Sequence, residues 1–126
     1  MAAQKYSVTI ICLLLFSCIS AVRSESLSIN NKLSQCISIE KSITYDKTVA
    51  FINGQLLVNK PISECGCKSA LGSYRVFTKK ENYRYFILEA KVSFLKSSAL
   101  YLPIAADKGL ISNQEIEIDI SCARPD

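Results

Sequence analysis

Six cysteines and no histidine set the chemistry open to this 126-residue chain. Cys36, Cys65, Cys67 and Cys122 lie downstream of an apolar opening segment, and two of them form the motif Cys65-Gly66-Cys67. Reduced, a Cys-x-Cys pair offers thiolates to a soft metal or to disulfide exchange, and Cys36 or Cys122 could complete such a site. Oxidised, the same four residues make two structural bridges. The missing histidine removes imidazole ligands and the base of any Ser–His or Cys–His nucleophile, and the single methionine is Met1. The compartment decides which state the sulfurs take.

A second constellation, Tyr74, Arg75, Lys79, Lys80, Tyr83, Arg84 and Tyr85, mixes aromatic and basic groups. At a surface it would stack on a sugar or grip an acidic partner. The competing reading is a central strand with a solvated hairpin tip. Glu89 and Glu117 are carboxylates that a glycoside hydrolase could use, yet each alternates with core-type residues, as solvated strand positions do. No Gly-rich phosphate loop and no G-x-S-x-G elbow is present. The expectation is a protein without enzymatic activity, cofactor or metal.

The opening segment sets the expected compartment. The opening reads MAAQKYSVTIICLLLFSCISAVRSES. Lys5 leads an uncharged apolar run over residues 6–22, with small residues at Ser17, Ser20, Ala21 and Ser24. This is the pattern of a secretory signal peptide over residues 1–24. Cleavage after Ser24 or after Ala21 satisfies the small-residue rule. The run is short for a bilayer span and rich in Ser, Thr and Cys. Leu15-Phe16-Ser17-Cys18 resembles a bacterial lipobox, whose cysteine would carry the lipid. A periplasmic or secreted protein is therefore the first expectation, and a lipoprotein anchored through Cys18 the second. Losing Lys5 and Arg23 leaves thirteen basic against eleven acidic side chains. That net +2 carries no footprint for nucleic acid.

Residues 25–126 then form one domain. Outside the cytosol, four cysteines imply two disulfides. A bond between Cys65 and Cys67 would close a very small strained ring, so Cys36 and Cys122 are each expected to bond one member of the pair. The apolar spacing downstream alternates as strands do. In Glu115-Ile116-Glu117-Ile118-Asp119-Ile120-Ser121-Cys122 the isoleucines and the acids face opposite ways, with Cys122 on the isoleucine side. Residues 83–94 and 73–78 read as a hairpin pair joined by Lys79-Lys80-Glu81-Asn82. On the longer strand, Tyr85 and Ile87 are expected opposite Phe86, Leu88 and Ala90. Further strands are expected at 33–40, 48–52, 55–58 and 99–104, with Asn53-Gly54 as a hairpin turn between two of them. Pro61 and Pro103 belong at strand ends or edges. Asp107-Lys108-Gly109 marks a turn. The expected fold is all-β, a small disulfide-stapled antiparallel β-sandwich, with the immunoglobulin-like arrangement first and a small barrel second.

Two resemblances bear on function. Ser69-Ala70-Leu71-Gly72-Ser73-Tyr74 is similar to the Ser/Gly-rich loop ending in Tyr that small periplasmic lysozyme inhibitors insert into their target. Over more of the chain, Pro61-Ile62-Ser63-Glu64-Cys65-Gly66-Cys67-Lys68-Ser69-Ala70, Leu100-Tyr101-Leu102-Pro103-Ile104 and Ser121-Cys122-Ala123-Arg124-Pro125-Asp126 resemble an uncharacterised family of small secreted Gram-negative bacterial proteins. That resemblance implies envelope localisation and the cysteine pattern, and it transfers no catalytic residue. The functional expectation is a non-enzymatic envelope domain that binds a protein or polymer, or serves structurally. A lysozyme-inhibitor-like protein and a Cys-x-Cys thiol or metal handler are the alternatives.

Overall fold

The computed structural model describes residues 26–124, so the expected signal peptide over residues 1–24, either expected cleavage site and Cys18 lie outside the described residues. The protein is all-β. Its strands are β1 (Ser26–Asn31), β2 (Ile37–Asp46), β3 (Val49–Val58), β4 (Leu71–Lys80), β5 (Tyr83–Ser93), β6 (Ser98–Ala105) and β7 (Glu115–Cys122). They form a four-stranded sheet, ordered β1-β7-β4-β5, and a three-stranded sheet, ordered β2-β3-β6. Four and three strands is also the division of an immunoglobulin constant domain, but the order here is different. Each hairpin, β2–β3 and β4–β5, stays within one sheet, and β1 pairs with β7 in parallel. That parallel pair is the exception to an otherwise antiparallel ladder.

Alternation builds the core. Ile116, Ile118 and Ile120 of β7 are fully buried, as are Val76 and Tyr74 beside them on β4. They meet Ala50, Ile52, Leu56, Leu102 and Ile104 from the other sheet. Two side-chain hydrogen bonds among the described residues cross between the sheets: the Tyr74 hydroxyl donates to the Pro103 carbonyl at 2.7 Å, and the Asn31 amide donates to the Ile37 carbonyl at 2.9 Å. Burial makes the phenolate unfavourable, which raises the Tyr74 pKa above the ordinary 10.0. Pro103 sits on β6, an edge strand, where its missing donor costs no ladder bond.

Asn53-Gly54 does not turn. Both residues lie inside β3, opposite Ser42 and Lys41, and the actual connection is Lys47-Thr48, with Lys47 in the left-handed region. Continuing the strand keeps Ile43 against Ile52 and Ile39 against Leu56 on one face. Glycine is needed at position 54 for another reason: a Cβ there would lie 1.9 Å from the Glu40 carbonyl oxygen. β2 accordingly starts later and runs further than expected, to Asp46. In the other hairpin Lys79 and Lys80 are strand residues, and Glu81-Asn82 alone makes the turn.

The crossover from β3 to β4 carries the cysteine motif. Cys36, next to the start of β2, bonds Cys65, and Cys67 bonds Cys122 at the end of β7. The two adjacent cysteines therefore fasten one crossover to both sheets. Between them Gly66 adopts φ +93°, a conformation glycine takes without Cβ strain. With sequence separations of 29 and 55 between the bonded partners, loop-closure entropy makes each bridge worth about 4 kcal/mol. All four sulfurs are oxidised, so none is a thiolate ligand in this state.

Candidate functional site

The inner face of the four-stranded sheet is covered by the second sheet, so the open chemistry lies on its outer face and along β5. Antiparallel partners share a face, which places Arg75, Phe77 and Lys79 of β4 outward with Glu117 and Asp119 of β7. Arg84 and Phe86 of β5 join them, opposite Lys79 and Phe77. Their charges complement one another across three strands.

Arg84 organises this face. Its guanidinium lies 3.8 Å from the centroid of the Phe77 ring and reaches across β4 to β7. There Nε meets Glu117 at 2.8 Å and Nη2 meets Asp119 at 3.0 Å. The hydrogen bond to Asp119 is the main influence raising the Arg84 pKa. Lys79 adds a longer contact to Glu117, at 3.7 Å. Phe86 packs edge-on to Phe77 and is still 58% exposed. Further along, Arg75 meets Glu89 at 3.3 Å and Ser73 donates to the same carboxylate. Hydrogen bonding from Arg75 holds the Glu89 carboxyl below its usual range.

Two depressions follow this network. One of about 400 Å³ is lined by Ser28, Ile29, Asn30, Arg84, Glu117 and Asp119. The other, of about 120 Å³, includes Lys32, Arg75, Glu89, Asp119 and Arg124 in its lining. Asp119 belongs to both.

The expected Tyr/Arg surface is divided by the fold. Tyr74 is a core residue, 2% exposed, because inner-face alternation sets it beside Val76 and under β6. It cannot be part of a binding surface. The Ser69–Tyr74 segment is correspondingly no insertion loop: from Leu71 it is strand β4, and Gly72, Ser73 and Tyr74 are buried. Tyr83 and Tyr85 are 68% and 54% exposed near the hairpin tip. β5 is an edge strand rather than a central one. Between Val76 and Phe77 the register slips by one residue, so Ile87 is extra on β5. This bulge moves Phe86 to the outer face while Leu88 and Ala90 stay inside, so Phe86 does not share their side as the alternation alone predicts.

Glu117 and Glu89 are thus held by basic partners, Glu117 by two of them and Glu89 by one. Asp119, Phe77, Phe86, Ser28 and Asn30 are members that the sequence reading did not single out. The signal for Asp119 was present: acids opposite the isoleucines of β7 complement the alternate basic residues of β4. Among the described residues no group of three or more His, Cys, Asp or Glu is placed to hold a metal ion. No helix among them is long and apolar enough to cross a membrane.

A family model for an uncharacterized protein conserved in bacteria matches residues 11–125. The chain belongs to the bacterial family DUF2195. No curated protein and no solved structure matches this DUF2195 chain. Its membership agrees with the uncharacterised bacterial character of the family that the cysteine and C-terminal motifs resemble.

Proposed function

We propose that this DUF2195 protein is a non-enzymatic binding domain of the bacterial envelope, exported to the periplasm or secreted, whose contact surface is the β4–β5 hairpin and the adjoining outer face. The observation that carries the reading is the run Tyr83, Tyr85, Phe86, which exposes three aromatic rings within four residues of an edge strand. Aromatic rings supply contact area at low side-chain entropy cost, and an edge strand leaves backbone groups open to a partner. The two disulfides favour an oxidising compartment. Against glycoside hydrolysis stands the chemistry of the carboxylates. A general acid needs a raised pKa, whereas Arg75 lowers that of Glu89 and Glu117 is ion-paired to Arg84.

The test is capture from a bacterial envelope fraction with the wild type and with Tyr83→Ala/Tyr85→Ala. Both substitutions are at exposed positions, so the thermal midpoint should move by no more than about 4 °C, in keeping with surface changes within roughly 0.5 kcal/mol. Loss of the captured species at an unchanged midpoint supports the hairpin as the contact surface. Equal capture by the double variant removes it.

A further inference from the structure

The outer face has a chemistry distinct from the tyrosines of the hairpin tip. From Glu117 to Cys122 the two depressions follow β7 for roughly 17 Å at a strand's rise per residue. Their lining contains four basic and three acidic side chains, which is close to balanced. A polyanion would meet the carboxylates of Glu117, Asp119 and Glu89, and a polycation would meet the arginines. A neutral ligand that both donates and accepts meets neither repulsion.

The groups themselves are planar and pre-set. The Asn30 amide, the Glu117 and Asp119 carboxylates and the Arg84 guanidinium offer donors and acceptors side by side, and the ion pairs fix three of the four before any ligand arrives. Pre-ordered polar groups avoid the entropy cost of immobilising long side chains on binding. A carboxylate oxygen that accepts from Arg84 keeps a further lone pair, so the paired carboxylates still accept from sugar hydroxyls. Phe86, exposed on the same face, offers an apolar surface for the C–H side of such a ring.

From this juxtaposition we infer that the groove along β7, bounded by Asn30, Arg84, Glu117 and Asp119, with Phe86 exposed two strands away on the same face, binds a neutral glycan strand. The inference rests on the binding-domain reading and names the class of polymer. Several sugar units fit along the track, so affinity grows with chain length as successive rings engage Arg84 and then Arg75.

Cosedimentation of the disulfide-intact protein with chitin, with cellulose and with insoluble starch tests it. The bound fraction should saturate on at least one glycan and fall at least tenfold for Asn30→Ala/Phe86→Ala, two exposed positions. It should change less than twofold between 50 and 300 mM salt, as expected of a neutral ligand. Tyr83→Ala/Tyr85→Ala should bind the glycan as the wild type does. Failure to sediment with all three glycans, undiminished binding by the Asn30/Phe86 variant, or loss of binding in 300 mM salt would each overturn the glycan site. Tyrosine-dependent capture of an envelope protein would survive such a failure, so the two readings fall separately.

Discussion

The two ends of the four-stranded sheet are built on opposite plans. At one end Cys67 and Cys122 join the crossover to β7, Phe94 is buried against Gly72, and Ile62 and Cys36 complete a sealed core. At the other end the Glu81-Asn82 turn carries Tyr83, Tyr85 and Phe86 in solvent, steadied by ion pairs at the surface. One end restricts the unfolded chain and buries apolar area; the other does little of either. Stability concentrated away from an exposed aromatic run leaves that run free to vary and to bind without endangering the fold.

The contrast breaks most directly at the cysteines. Cys67→Ser/Cys122→Ser should cost about 4 kcal/mol in a urea titration, the loop-closure value for the longer of the two bridges. A loss under 1 kcal/mol would mean that the crossover is held by packing instead.

Tyr74 stands between the ends, and its hydroxyl is the test of how tightly the sheets are joined there. Tyr74→Phe leaves the Pro103 carbonyl without its donor and should cost about 1 kcal/mol. Its pH dependence has a definite sign. The folded pKa is raised above that of the unfolded chain, so the contribution is complete below pH 10.0 and is lost as pH rises through the folded value. The wild type should therefore lose stability in alkali more steeply than the Phe variant, measured as denaturation midpoints between pH 8 and 11.

The smallest effect belongs to the exposed end. Arg84 is 39% exposed in its side chain, so its ion pairs are screened. Arg84→Ala should lower stability by less than about 1 kcal/mol in the same titration. A larger loss would place part of the structural load on the outer face and narrow the contrast.

Much of the stapled end was legible in the sequence, because its signals are local. The alternation of β7 follows from eight consecutive residues, and the tight Cys65-Gly66-Cys67 spacing rules against internal pairing. The crossover geometry then shows why the cysteines part, one toward each sheet. β1 was missed although Leu27 and Ile29 alternate with serines, since its parallel partner lies about ninety residues away in the chain. Asn53-Gly54 misled because a close backbone approach needs the same glycine that a turn does. Tyr74 looked like a surface residue among charged neighbours, and only the second sheet over β4 buries it. The outer site was the least visible. Arg84 meets Glu117 and Asp119 across an intervening strand, and the β5 bulge that puts Phe86 on their side leaves no mark in the local pattern.

Native-state hydrogen exchange tests the division between the ends most directly. Amides of β7 next to Cys122 and of β4 near Gly72 should exchange only through global unfolding, while those around Tyr83–Phe86 should open locally at a free energy several kcal/mol lower. Equal protection at the two ends would contradict the account.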